Sequence, residues 1–415
     1  MTRILHKFFG KKGAGWITGA SDDDPAGIGT YAYAGSRFGF DQLWTMLFSL
    51  PLMMVVQEMC ARIALVSGQG LISVFKKRFP RPVVFGIVML LIVANTINIG
   101  ANIGAMAASL QLFLNVPFTF LAIVCTLVTL LLEIAVPYKV YARYLRWLTL
   151  SLFAYVITAI LTTANWGEVL AHVVAPTWSF NKEFVITFVA ILGTTISPYL
   201  FFWQASEEIE DEIVDGKKTI KARKGATPDE IRDMRSDVGQ GMLFSNLIAF
   251  FVILTAAQTL FPHGIVIQTA HDAAISLAPI AGPFASIIFA IGIIGTGLLS
   301  IPVLAASGAY AFAEMRGWKA GLSLPWHRAH GFYIIIAIAM LAGLGMNFLG
   351  IDPIRALIIT SVINGVAAPV LLAFILICAN TKAIMGKWTN GRVANSIGWV
   401  TVGVMGLAAL LMFIL

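Results

Sequence analysis

The sequence predicts an all-α polytopic membrane protein of about eleven spanning helices. Three observations carry that reading. Of the 415 residues, 58% are hydrophobic and only 12% are charged, about half the charged share of a soluble domain. Apolar runs of about twenty residues recur along the whole chain, each long enough to cross a hydrocarbon layer of about 30 Å. The basic residues lie in short segments between those runs, so the net charge of +7 is not a nucleic-acid-binding patch.

The spans are expected at about 14–38, 42–66, 83–112, 118–136, 144–164, 184–206, 239–261, 283–312, 331–349, 354–379 and 395–415. With the N-terminus in the cytoplasm, the N-terminal segment and the even-numbered connections hold 24 of the 28 Lys and Arg. These include Arg3, Lys7, Lys11 and Lys12 at the start, and Lys139, Arg143 and Arg146 after the fourth span. Only Arg37, Lys182 and Arg355 fall on the other side, and Arg62 sits at the cytoplasmic end of span two. Such an asymmetry places the N-terminus inside and the C-terminus outside, as in a bacterial cytoplasmic membrane. The basic start, MTRILHKFFGKKGAG, leads into a spanning segment and does not read as a cleavable signal. Cys60, Cys125 and Cys378 fall inside apolar runs without ligand spacing and read as small buried hydrophobes. The longest polar insert, 207–238, reads as a cytoplasmic loop with some helix.

Two spans are internally broken. The first, in the stretch GASDDDPAGIGTYAYAG, carries Pro25, Ala26 and Gly27 near its middle. The sixth, FVAILGTTISPYLFFWQASEE, carries Ser197 and Pro198. A proline inside a helix removes one backbone hydrogen bond and clashes with the preceding turn. Backbone groups freed at membrane depth persist only where protein, water or a ligand satisfies them. Spans one and six are corresponding members of two five-helix halves, 14–164 and 184–379, with 395–415 as an additional helix. Five is odd, so the halves run in opposite orientations. Matched interruptions in inverted halves point to a substrate site at the membrane midplane.

Asp22, Asp23 and Asp24 sit beside the first break, where ionisable groups are costly and functional by default. The chain runs outward here, so the three acids are expected at the C-terminal end of a half-helix. That end is partially negative, and no Lys or Arg lies nearby in sequence. Carboxylates plus freed carbonyls make an oxygen-rich cation site. Successive side chains are about 100° apart on a helix, so the three do not all face one ion. Asp24, next to the break, is assigned to direct coordination; Asp22 and Asp23 line the cytoplasmic path or pair elsewhere.

The Asp-Pro break in span one, the Gly-Thr-Thr-Ile-Ser-Pro break in span six and the eleven spans resemble the Nramp family of divalent-metal transporters, over nearly the whole chain. The resemblance implies a LeuT-type inverted 5+5 repeat, alternating access, and import of divalent transition metals, typically with protons. The family's Asp-Pro-Gly-Asn motif keeps its Asp as Asp24, while its Gly becomes Ala26 and its Asn becomes Gly27. In the family's Met-Pro-His motif the metal-binding Met becomes Ser197 and the His becomes Tyr199. A thioether suits transition metals; without it the site is expected to be oxygen-only and roomier. Mg²⁺ demands oxygen ligands and keeps several waters, so the pattern resembles the Nramp-related magnesium branch, which also admits Mn²⁺. The metal-site candidates are Asp24, Gly27, the Thr194 carbonyl and the Ser197 hydroxyl. Asp22, Asp23, Tyr199, Ser361, Asn364 and Glu207 are pathway candidates. No cofactor is implied.

Proton-coupled relatives carry acids on span three and a basic residue on span nine. Here span three offers Asn95, Asn98 and Asn102, and span nine has no Lys, Arg or His. Uncoupled transport is therefore expected. Glu58 and Glu133, near cytoplasmic span ends, are expected to snorkel or to pair with a loop. Glu207, Glu208, Glu210, Asp211 and Glu212 form either an acidic exit funnel or a solvated helix end. Gly292, Gly295 and Gly297 suit close helix packing. The rival readings are a proton-coupled Mn²⁺/Fe²⁺ importer, an amino-acid carrier of the same fold, and a metal-sensing receptor without transport. No Ser-His or HExxH arrangement suggests an enzyme. The expected partners are a divalent ion and the lipid bilayer, with no nucleic acid; the sequence leaves the oligomeric state open and is compatible with a monomer.

Overall fold

The computed structural model describes residues 13–136, 138, 140, 145 and 148–415. His6, the N-terminal basic residues, Lys139, Arg143, Arg146 and the start of the fifth expected span lie outside the described residues. The principal helices are α1 (Ala14–Asp22), α2 (Pro25–Phe38), α3 (Trp44–Ser67), α4 (Leu71–Arg78), α5 (Arg81–Leu110), α6 (Phe118–Ala135), α7 (Phe153–Thr162) and α8 (Trp166–Val174). They continue as α9 (Lys182–Thr195), α10 (Pro198–Val214), α11 (Pro228–Thr259), α12 (Ala285–Arg316), α13 (His330–Met346), α14 (Pro353–Ala379) and α15 (Arg392–Ile414).

Among the described residues, eight helical segments are long and apolar enough to cross a membrane, or nine if the bent pair α7 and α8 is one span. The remaining expected spans are shorter pieces: the first is split into α1 and α2, and the ninth, α13, has 17 residues. The insert 207–238 is more helical than expected. α10 runs on to Val214, and α11 starts at Pro228 behind a capping box, in which Thr227 and Glu230 bind each other's backbone N–H at 3.2 and 2.8 Å.

Both breaks follow one local rule. Asp24 (φ −75°, ψ 167°) and Ser197 (φ −79°, ψ 128°) are extended residues placed directly before Pro25 and Pro198. Proline disfavours the helical conformation in the residue before it, yet fits the first position of the next helix. Each span therefore stops and restarts instead of merely kinking.

The two broken spans sit at the centre. The apolar window of α9 and α10 is 94% buried, against 28% for α15. Leu131, Leu161, Leu341, Leu407 and Phe413 are exposed on the outer helices, as an apolar solvent requires. Backbones approach closely where glycines allow it. A Cβ on Gly19 of α1 would lie 2.3 Å from the Gly241 carbonyl oxygen of α11, and one on Gly193 of α9 only 2.0 Å from the Ser361 carbonyl oxygen of α14. In membranes, such contacts replace the hydrophobic driving force. Gly297 of α12 likewise lets Met106 pack beside Pro25, in line with the packing role expected of the span-eight glycines.

The charged rim is fastened by specific pairs. Asp237 accepts the N–H groups of Gly13 and Gly15 at 3.2 and 2.7 Å, capping the positive end of α1 from α11. Glu58 pairs with Arg62 at 3.0 Å and with Arg235 at 2.8 Å, which meets the expectation of pairing. Buried Arg62 also donates to the Trp388 carbonyl and to Asn390. Glu133 departs from the snorkelling expectation: it is 3% exposed, and among the described residues neither carboxylate oxygen has a hydrogen-bond partner. The loop it was expected to pair with lies largely outside the described residues.

Candidate metal centre

The two breaks meet. The Tyr31 hydroxyl of α2 lies 3.2 Å from the Thr195 hydroxyl of α9, and the Tyr199 hydroxyl of α10 donates to the Ser21 carbonyl of α1 at 3.0 Å. Tyr199 therefore does more than pack: it holds the second break against the end of α1.

Asp24 lies between these contacts, 1% exposed. The sequence places all three acids at the C-terminal end of the first half-helix. The structure keeps Asp22 and Asp23 there but makes Asp24 the N-cap of α2. The reason is the following proline, which starts the new helix one residue later. Asp24 Oδ1 accepts the Gly27 N–H at 2.7 Å, and Oδ2 accepts the Asn102 side-chain N–H at 3.0 Å. The same Asn102 accepts the Ala26 N–H at 3.1 Å. A helix N-terminus favours a negative charge, so the sign of the local field at Asp24 is opposite to that expected.

Gly27 faces the centre with an N–H donor, which binds the carboxylate and not a cation. A Cβ on Gly27 would lie 3.0 Å from Thr194 Oγ1 and 3.4 Å from Tyr31. The space left by the smaller residue is thus filled by these neighbours, and in this conformation the centre is not roomier. Ser197 Oγ lies 2.7 Å from the Thr194 carbonyl and 2.8 Å from that of Gly193, donating its single proton there. Its lone pairs remain available, as does the second lone pair of the Thr194 carbonyl.

Asp22 and Asp23 are 1% and 2% exposed and are held together by Ser245 of α11, whose Oγ lies 2.5 Å from Asp22 Oδ2 and 3.2 Å from Asp23 Oδ1. Among the described residues no ion pair reaches any of the three aspartates, and no three His, Cys, Asp or Glu side chains converge to hold a metal. The helical-spacing expectation accounts for the latter.

Ser361 is tied into the first break. It accepts from Thr30 at 2.9 Å and donates back to the Leu357 carbonyl at 3.0 Å, with the Ala26 carbonyl 3.5 Å away. Asn364 is buried, and its Oδ1 has no hydrogen-bond partner among the described residues. Glu207 lies on α10, 2% exposed, in a buried rim that also includes Glu210 and Glu212. Glu210 accepts from Tyr310 at 3.2 Å and from Ser323 at 2.5 Å, and Glu212 from Lys217 at 2.8 Å. A solvated helix end is therefore incorrect for these buried residues: α12 and the connector after it cover Glu210, and Lys217 pairs with Glu212.

Sequence reasoning missed Asn102 and Ser245 as parts of the centre. Asn95, Asn98 and Asn102 recur at helical spacing on one face of α5, a signal for a polar inward stripe. Asn98 is buried on the same face, while Asn95 donates to the Leu304 carbonyl and Ser307 at 2.9 and 2.7 Å. Nothing in the sequence around Ser245 singles it out.

The profile of the Natural resistance-associated macrophage protein-like family, Nramp, matches residues 15–415. The divalent metal cation transporter MntH of Deinococcus radiodurans is 27% identical over 392 residues, covering 91% of this chain and 83% of that relative. The protein of the same name from Caldanaerobacter subterraneus is 24% identical over 424 residues, covering 99% and 94%. Among solved structures, the Eremococcus coleocola manganese transporter superposes with a TM-score of 0.73 at 18% identity, over 96% of this chain and 85% of that one. Mhp1, a nucleobase-cation-symport-1 family transporter, does so with a TM-score of 0.59 at 13% identity, over 96% and 89%. These structural likenesses speak for the fold, and they bear out the expected all-α, LeuT-type class. With its profile matched along nearly the whole sequence, the chain belongs to the Nramp family.

Proposed function

We propose that this protein carries divalent metal cations across the bacterial cytoplasmic membrane by alternating access, taking Mg²⁺ as a partly hydrated ion, admitting Mn²⁺, and moving no protons with it. The observation that carries the reading is the meeting of two helix breaks at a buried carboxylate, where the break residues offer only oxygen: Asp24, the Thr194 carbonyl and the Ser197 hydroxyl. Hard oxygen donors and retained water suit Mg²⁺. The MntH relatives bear the name of divalent metal cation transporters, which supports the cargo class.

The halves 14–164 and 184–379 act as inverted repeats around this centre, with the N-terminus inside and the C-terminus outside. Access from outside begins in a cavity of about 540 Å³ lined by Gln111, His271, Asn347 and Asp352. A smaller apolar void shares Ala270 and Ile354 with it and reaches Gly29, one turn beyond Asp24. Tyr199 on Ser21, and Glu210 on Tyr310 and Ser323, close the inner side. A hydrated ion reaches Asp24 when Thr194 and Tyr31 withdraw from Gly27.

Asn102 occupies the Asp24 carboxylate with a side chain that cannot ionise, which supports uncoupled movement. The membrane potential suffices as driving force, at about 2.3 kcal/mol per charge per 100 mV. One observation favours the rival Mn²⁺/Fe²⁺ reading: the Met106 thioether packs beside Pro25, and soft ligands prefer transition metals. Mg²⁺ uptake by proteoliposomes, with Mn²⁺ as competitor, tests the proposal; Mn²⁺ uptake without Mg²⁺ uptake would favour the rival.

A further inference from the structure

The carboxylates beside the first break differ in how well the protein satisfies them. Asp24 has a donor on each oxygen and the N-terminus of α2 behind it. Asp22 and Asp23 have neither. They sit at the C-terminal end of α1, where the helix adds negative potential. They also share one hydroxyl, and Ser245 Oγ has a single proton for the two carboxylate oxygens that it meets. The other oxygens, Asp22 Oδ1 and Asp23 Oδ2, are buried with no hydrogen-bond partner among the described residues. Two carboxyl groups lie buried here side by side, and both can be ionised together only where a cation compensates them.

We infer that Asp22, Asp23 and Ser245 form a second divalent-cation station, distinct from the Asp24 centre and on its cytoplasmic side. Its ligands come from two helices, α1 and α11. A divalent cation matches the combined charge of the two carboxylates and takes up both unpartnered oxygens. The Tyr199 hydroxyl on the Ser21 carbonyl, 3.0 Å away, ties α10 to the residue next to Asp22. An ion released by Asp24 then passes to Asp22 and Asp23 before the Tyr199–Ser21 contact opens. This station deepens the proposed transport function and rests on that reading for its cargo.

The test is Mn²⁺ binding to the purified full chain in detergent, by equilibrium dialysis and by the Mn²⁺ electron-spin signal. The Asp24→Asn variant is expected to retain one Mn²⁺ per chain. Adding Ser245→Ala should weaken that binding at least tenfold, and adding Asp22→Asn with Asp23→Asn should abolish it. Size-exclusion profiles and melting curves verify that each variant is folded; if a combined variant is not, the Asp24→Asn binding stoichiometry decides alone. A folded Asp24→Asn protein that binds no Mn²⁺, or one whose binding survives all three added substitutions, overturns the inference. Wild-type Mn²⁺ uptake into proteoliposomes separates the two claims. Uptake with no ion on Asp24→Asn removes the station only; a bound ion with no uptake removes the transport reading only.

Discussion

Asn102→Ala isolates the interaction that fixes the Asp24 carboxylate. Asn102 donates to Asp24 Oδ2 at 3.0 Å and accepts the Ala26 N–H at 3.1 Å, with every group buried. A hydrogen bond to a charged group contributes about 1.5–3 kcal/mol, and leaving a buried N–H unsatisfied costs about 1–3 kcal/mol. Water admitted into the vacated polar space restores part of this. The expected destabilisation is therefore roughly 3 kcal/mol, about a hundredfold in the unfolding equilibrium. A divalent cation on Asp24 replaces the missing donor, so saturating Mn²⁺ should narrow the gap between variant and wild type. Equilibrium unfolding in matched detergent micelles, followed by tryptophan fluorescence with and without Mn²⁺, measures both quantities. A loss below 1 kcal/mol without ion, or a gap unaffected by Mn²⁺, would refute the role assigned to Asn102.

Other perturbations separate packing from chemistry. Gly193→Ala places a Cβ 2.0 Å from the Ser361 carbonyl oxygen and 2.3 Å from the Gly365 nitrogen. Backbone cannot yield as a side chain does, so the loss should reach about 3 kcal/mol, the upper end for overpacking, with or without metal; Gly86→Ala, which meets nothing within 4 Å, serves as the neutral control in the same melts. Arg62→Ala removes a buried cation from Glu58, the Trp388 carbonyl and Asn390, and a loss of about 3–5 kcal/mol is expected in denaturant titrations. Proteoliposomes loaded with a pH dye should show metal uptake without lumenal acidification; acidification that tracks metal concentration would disprove uncoupled movement.

Much of the architecture was legible because each signal is local. Prolines 25 and 198 with their preceding residues fixed the two breaks. The positions of Asp24, Thr194 and Ser197 beside the breaks follow from the same local chemistry. What remained hidden was set by partners far away in the chain. Ser245 lies more than two hundred residues from the acids it bridges, and Asn102 reads only as a missing acid until it is seen to bind Asp24. The polarity at Asp24 was reversed because one residue decides whether a carboxylate ends one helix or starts the next. Glu210 looked solvated because its cover, Tyr310 and Ser323, comes from α12 and the connector that follows. The filled space at Gly27 depends on how closely α2 and α9 approach, which a side-chain inventory does not contain.

The most direct test is Mg²⁺ uptake into proteoliposomes by the wild type and by Asp24→Ala, each with Mn²⁺ as competitor. Saturable Mg²⁺ flux that Mn²⁺ inhibits, and that falls to the level of protein-free vesicles in the variant, is the expected result. Mn²⁺ flux with no Mg²⁺ flux would contradict the magnesium assignment, and Mg²⁺ flux unchanged in Asp24→Ala would contradict the site itself.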